Sequence, residues 1–270
     1  MNELSFNSGL VIFLVGIMAG SFVNVVIHRL PRMVMHEQTT LSGPVYDLSQ
    51  PASHCPHCHT PLRIWHNIPL VSFLFLKGRC GFCQHPIGTI YPTVEALTGL
   101  LWLGCAWHWG VNTNALCWAW FGTSLLALAI IDWQTTLLPD GLTQSLLWAG
   151  LMASAMHWVE LLLEQAVWGS VAGYVSLWTV ANAFERVTHK EGMGAGDFKL
   201  LAALGAWLGP LPLIPLVLLA SVSGVIVGLV LKFKGELRDG GYLPFGPFLA
   251  LSASIIAVCD PNQIMRIMGW

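Results

Sequence analysis

Two aspartates in this sequence stand where acid–base chemistry at a membrane edge would need them. Asp132 ends one apolar stretch, and Asp197 follows a glycine-rich run, 192–196, just before another. Carboxylates are costly in hydrocarbon, so those at the edges of spanning helices are usually functional. The glycines before Asp197 carry no Cβ and let a substrate backbone approach closely. The pattern predicts that the two carboxyl groups converge and activate one water for peptide hydrolysis.

Each aspartate also has a purely structural interpretation. Asp132 could simply end its helix at the interface, and Asp197 could cap the helix that follows, where carboxylates are favoured. A close pair behaves differently, because two neighbouring carboxyl groups do not readily both ionise. One then keeps a proton while the other takes a proton from water. Asp140 competes with Asp132 for this role, although a turn in which Asp140 caps the next helix accounts for that position.

Four cysteines form two C-x-x-C pairs with a spacing typical of paired metal-binding knuckles. Four thiolates satisfy a tetrahedral zinc ion, so the pattern predicts a structural zinc site that helps a short segment to fold. A redox-active pair and metal-free cysteines are the alternatives. The predicted ligands are Cys55, Cys58, Cys80 and Cys83.

Composition places the chain among membrane proteins. Hydrophobic residues make up 55% of the 270 residues and charged residues only 10%, whereas soluble domains contain about 25% charged residues. Hydropathy predicts an all-α, polytopic helix bundle with about eight spans. The predicted segments are Ser8–Ile27, Pro92–Trp109, Ala115–Ile131, Leu142–His157, Gln165–Phe184, Phe198–Leu208, Leu211–Leu231 and Phe245–Val258.

These segments divide the chain into three predicted parts. Residues 1–31 carry the first transmembrane segment, residues 32–91 a four-cysteine domain, and residues 92–270 the transmembrane core. The middle part is polar and too long for a simple loop, which favours a small soluble domain. Glu95, just inside the second span, is interpreted as a polar or cation-pairing group. The run 244–247, Pro-Phe-Gly-Pro, opens the last span and is interpreted as a packing device.

Basic residues predict the orientation of the spans, because loops rich in lysine and arginine stay in the cytoplasm. If the chain has eight spans, nearly all of the lysines and arginines fall on one side of the membrane. That side receives Arg29, Arg32, Arg63, Lys77, Arg79, Arg186, Lys190, Lys199, Lys232, Lys234 and Arg238. The other side receives Arg266, together with Glu160, Glu164 and Asp260. The four-cysteine domain and both aspartates are therefore predicted to face the cytoplasm, with both termini outside.

Several motifs together resemble those of the bacterial prepilin peptidase family, which serves type IV pili and type II secretion systems. Residues 20–31 look like its N-terminal signature, and 67–70 and 91–95 follow in the family's order. Residues 132–140 and 194–199 resemble its two aspartate motifs. The resemblance covers nearly the whole chain. One departure is His66, which stands where the family pattern suggests a more acidic residue.

The resemblance implies a multi-pass aspartyl protease of the bacterial inner membrane with a cytoplasmic active face. It implies Asp132 and Asp197 as the catalytic pair and the four cysteines as zinc ligands. Implied substrates are pilin-like or pseudopilin precursors, cut after the Gly that ends a short basic leader. S-adenosylmethionine would then donate a methyl group to the new N-terminus, an activity associated with the four-cysteine domain. Membrane lipid surrounds such an enzyme, and no nucleic acid is implied.

Three other functions stay open at this point. The chain could be a leader peptidase without methyltransferase activity. It could be a transporter whose membrane-edge aspartates bind cations. It could also be a non-enzymatic assembly factor that docks partners through its zinc domain. Neither the donor-binding residues nor the oligomeric state follows from the sequence.

Overall fold

The computed structural model of this protein describes residues 5–37, 47–50, 52–189, 192–236 and 243–259. No extended strand occurs among these residues, which agrees with the predicted all-α class. A short 3-10 turn, Ile64–Asn67, precedes α2. The helices are α1 (Phe6–Glu37), α2 (Val71–Phe75), α3 (Ile90–Trp109), α4 (Thr113–Thr135), α5 (Asp140–Ala155), α6 (Leu163–Thr188), α7 (Ala195–Leu208), α8 (Leu213–Lys234) and α9 (Gly246–Val258).

Each predicted apolar segment overlaps one of the long helices. By length and composition, three helices of the described chain can cross a membrane: Phe6–Met35, Thr113–Thr135 and Leu213–Lys234. Gly246–Val258 is apolar but shorter. These properties fit a membrane protein, and the full number of spans stays a prediction.

The first helix is longer than its sequence predicts. The predicted segment ends at Ile27, just before a basic run that includes Arg29 and Arg32, yet α1 continues through Pro31 to Glu37. Its 32 residues give a length of about 48 Å, whereas a bilayer core is about 30 Å thick. Helix α1 is therefore long enough for its last turns to extend beyond the hydrocarbon core of a membrane.

The first of two compact units covers Met1–Thr123. In it α1 packs along α3, and the four-cysteine segment, defined here as residues 52–89, lies against both helices. The Asn24 amide of α1 donates a hydrogen bond to the carbonyl oxygen of Tyr91 at 3.0 Å. The carboxylate of Glu95 accepts one from the backbone N–H of Leu70 at 2.8 Å. The first contact joins α1 to α3, and the second fixes the four-cysteine segment to α3.

The second unit covers Ser124–Trp270 and is built around α7. Every residue of α7 from Leu200 to Leu208 is buried, because α5, α6 and α9 pack against it. The Trp207 indole N–H donates to the carbonyl oxygen of Leu146 in α5 at 2.8 Å. At 14 residues, α7 is only about 21 Å long, so it lies inside the unit as a short central helix.

Candidate active site

Asp132 lies near the end of α4, three residues before the helix ends at Thr135. Only 4% of its surface is exposed. Its Oδ2 accepts a buried hydrogen bond from the backbone N–H of Gly246 at 2.9 Å. Gly246 is the first residue of α9, so this N–H belongs to the free N-terminal end of that helix. A carboxylate that only ended its helix at an aqueous interface would not be enclosed in this way.

Asp197 lies in the first turn of α7 and is half-buried. The alternative interpretation, in which Asp197 caps this helix, is wrong, because Gly194 holds the cap position. The backbone N–H of Asp197 donates to the Gly194 carbonyl oxygen at 3.2 Å. Helix α7 thus begins inside the glycine-rich run, three residues before the predicted start at Phe198, and carries Asp197 within its first turn.

The two carboxyl groups are brought together within the second unit. The charge on Asp132 acts electrostatically on Asp197. Leu138, in the segment after α4, packs against the glycines beside both: a Cβ added to Gly196 would lie 2.8 Å from the Leu138 Cβ, and one added to Gly246 would lie 3.3 Å from the Leu138 Cδ2. The ends of α4, α7 and α9 therefore converge around Leu138.

Sequence reasoning missed the role of Gly246. A Cβ at this position would lie 2.6 Å from the Asp132 Oδ2, so only glycine allows this helix end to reach the carboxylate without a shift of neighbouring atoms. The Pro-Phe-Gly-Pro run was interpreted as a packing device. The only signal in the sequence is a glycine at the start of an apolar segment. Such a glycine does not indicate that its N–H binds Asp132, which is 114 residues away.

The expectation that Asp140 caps α5 is wrong. Pro139 occupies the cap position, and no side chain caps the helix. Instead the ammonium group of Lys199 donates to both carboxylate oxygens of Asp140 at 2.7 Å. This ion pair ties the start of α5 to the first turns of α7, two residues from Asp197.

The four predicted cysteines come together in the first unit. Their sulfur atoms all lie within 4.8 Å of one another, and the Cys55 and Cys83 sulfurs are 3.9 Å apart. Ligands at zinc–sulfur distances of about 2.3 Å in a tetrahedron are about 3.8 Å from one another. This cluster therefore has the ligand number and the dimensions to hold a metal ion.

Both cysteine pairs adopt the same turn. The residues that follow them, His59 and Gln84, both have left-handed backbones, and their N–H groups donate back to Cys55 and Cys80 respectively. The hydroxyl and the backbone N–H of Thr60 lower the pKa of Cys58 to about 6. Thiolates, not thiols, bind metals, so the contacts of Cys58 favour the ligating form of that residue, whereas burial and the neighbouring sulfurs raise the pKa of Cys83 to about 11.

Two family models match consecutive parts of the chain. A family model described as the bacterial peptidase A24 N-terminal domain matches residues 14–109, and one described as the type IV leader peptidase family matches residues 119–229. No solved structure gives a significant match to the chain.

Similar proteins include three that carry the name prepilin leader peptidase/N-methyltransferase. The one from Stutzerimonas stutzeri is 43% identical over 92% of this chain and 89% of its own. That from Pseudomonas aeruginosa is 43% identical over 94% of this chain and 90% of its own. That from Legionella pneumophila is 41% identical over 97% of this chain and 94% of its own.

Proposed function

This chain belongs to the type IV leader peptidase family, and on that premise we propose that it is a bifunctional enzyme. It cleaves the leader peptide from type IV pilin-like precursors and then methylates the new N-terminal amine. The names of its relatives, prepilin leader peptidase/N-methyltransferase, cover both reactions. The match extends through both units of the chain, so it includes the four-cysteine segment as well as the aspartates.

The proposed catalytic pair is Asp132 and Asp197. The observation that carries this assignment is that Leu138 contacts both Gly196, next to Asp197, and Gly246, whose backbone N–H is bonded to the buried Asp132 carboxylate. Two such carboxyl groups share one proton more readily than both ionise. Asp140 is the weaker candidate, because its carboxylate is exposed and already paired with Lys199.

The helix end at Gly246 supports a division of roles. Its N–H donates to Asp132 and stabilises a negative charge there. Asp132 then takes a proton from water, whose oxygen forms a bond to the scissile carbonyl carbon. Asp197 donates its proton to the leaving amide nitrogen as the carbon–nitrogen bond breaks. After the reaction Asp132 carries a proton and Asp197 does not, so the total charge of the pair is the same as before.

Orientation follows from the basic loops. We assign the enzyme to the bacterial inner membrane as a multi-pass protein of about eight spans, with the aspartates and the four-cysteine segment on the cytoplasmic side. A precursor can then keep its apolar helix in the bilayer while its leader enters from the cytoplasm. Cleavage after the Gly that ends the leader fits a site at the edge of the membrane.

The four-cysteine cluster is proposed to hold a structural zinc ion. All four sulfurs are present at ligand spacing, and four protein ligands leave no position for a reacting water. Zinc would therefore serve the fold of this segment. Methylation uses S-adenosylmethionine: the amine nitrogen bonds to the methyl carbon, the sulfur keeps the electron pair of the broken bond, and the amine loses a proton.

One experiment separates the proposal from its rivals. Purified enzyme is mixed with a pilin precursor, with and without S-adenosylmethionine, and the masses of the products are determined by mass spectrometry. We expect loss of the leader in both reactions and the added mass of a methyl group only with the donor. Cleavage without methylation would leave a simple peptidase, and an intact precursor would favour the transporter or the assembly factor.

A further inference from the structure

A cavity of about 510 Å³ lies within the first unit, where α1, α3 and the four-cysteine segment meet. Small-molecule sites usually have volumes of about 300–1,000 Å³, with apolar walls and a few convergent polar groups. One face of α1 lines it, through residues spaced three or four apart that include Asn24, His28 and Arg32. Phe73 and Leu76 supply part of its apolar lining.

The side of the cavity formed by α1 is cationic. Arg29 and Arg32 both line it, and His28 lies within electrostatic range of both. Arg29 is buried and donates to the carbonyl oxygen of Asp47 at 3.1 Å, whereas Arg32 is exposed. Guanidinium groups bind carboxylates through charge-assisted hydrogen bonds. This side therefore suits a ligand that carries a carboxylate.

A carboxylate lines the same cavity. Glu95 of α3 is only 9% exposed, and its Oε2 is held by the N–H of Leu70. A buried carboxylate favours a cationic group on a ligand. Tyr91 also lines the cavity, and the faces of aromatic rings attract cations.

One polar atom in the wall lacks a partner. The Nδ1 of His66 is buried without a hydrogen-bond partner among the described residues, and His66 lines the cavity. Buried polar groups are nearly always bonded, so each exception calls for a ligand or a water. The sequence departs from its family pattern at this residue.

We propose that this cavity binds the methyl donor, a sulfonium nucleoside that also carries an amino-acid carboxylate. This inference rests on the proposed methyltransferase function and locates its donor site. The carboxylate pairs with Arg32, the sulfonium lies near Glu95, and the adenine ring enters the apolar part beside Phe73. A helix long enough to span the membrane thus supplies part of the site, which extends beyond the four-cysteine segment.

The test uses the full-length enzyme in detergent, free of anionic lipid. Initial rates of methyl transfer to processed pilin are measured against S-adenosylmethionine concentration for wild type, Arg32→Gln and Arg32→Lys. Loss of one charge-assisted contact should raise KM for the donor about tenfold or more, with a smaller rise for the lysine variant. The control Arg186→Gln removes an exposed arginine of α6, outside the cavity, and should behave as wild type.

Precursor cleavage, measured in parallel, reports whether each variant is folded. A second measurement needs no variant: radiolabelled S-adenosylmethionine is cross-linked to wild type by ultraviolet light, and labelled peptides are identified. Labels within 21–32 or 53–95 support the site. An unchanged KM in the Arg32→Gln enzyme, or labels confined to the second unit, would overturn it. If wild type neither binds nor uses the donor, the methyltransferase proposal itself fails.

Discussion

The contact between Gly246 and Asp132 gives the sharpest test of how the proposed active site is held. In Gly246→Ala the new Cβ would lie 2.6 Å from the Asp132 Oδ2. The helix end or the carboxylate must move, which disrupts the 2.9 Å hydrogen bond between them. A hydrogen bond to a charged group contributes about 1.5–3 kcal/mol, and about 1.4 kcal/mol changes a rate tenfold. We therefore expect kcat for precursor cleavage to fall about 10- to 150-fold.

The matched control is Gly141→Ala, because a Cβ there meets nothing within 4 Å. Cleavage is followed by gel mobility of the precursor over a range of concentrations, which separates kcat from KM. The loss should fall on kcat, since Asp132 acts on water and not on the leader. Tm from tryptophan fluorescence reports folding. A folded Gly246→Ala enzyme with wild-type kcat, or an equal loss in Gly141→Ala, would refute this reasoning.

Three further predictions follow from other contacts. Cys55→Ser should lower bound zinc and methyl transfer far more than cleavage, and equal losses of both activities would contradict two separate sites. Lys199→Gln should lower the free energy of unfolding by only about 0.2–1 kcal/mol, because the ion pair between Lys199 and Asp140 is exposed. A double variant with the two charges exchanged should restore that free energy. Failure to restore it would argue against the ion pair. Trp207→Phe removes the indole donor to the Leu146 carbonyl, which keeps its bond within α5, and should cost about 0.5–1.5 kcal/mol, so an unchanged Tm would be inconsistent with that bond.

The features that sequence predicted well are those with local signals. Two C-x-x-C pairs predict a four-sulfur cluster, and in the structure those four sulfur atoms lie close together. Apolar runs predict helices, and each predicted run overlaps one helix. The end of α1 was wrong because a basic stretch and Pro31 look like a stop, whereas in the structure the helix continues beside the four-cysteine segment.

The features that sequence could not supply depend on contacts between distant residues. The sequence around Asp140 is typical of a helix cap, yet its carboxylate accepts hydrogen bonds from Lys199, 59 residues away. The bond from Gly246 to Asp132 likewise has no local signal. The cavity combines one face of α1 with α3 and the four-cysteine segment, so none of these stretches alone indicates a ligand site.

The most direct test of the proposed catalytic pair is precursor cleavage by purified Asp132→Asn and Asp197→Asn enzymes, with Asp140→Asn as the matched control. Acid–base groups contribute about 100- to 10,000-fold to a rate, so each of the first two variants should lose cleavage by at least that lower factor while its Tm stays near wild type. Asp140→Asn should cleave at close to the wild-type rate. Persistent cleavage by a folded Asp132→Asn or Asp197→Asn enzyme would contradict the two-aspartate mechanism.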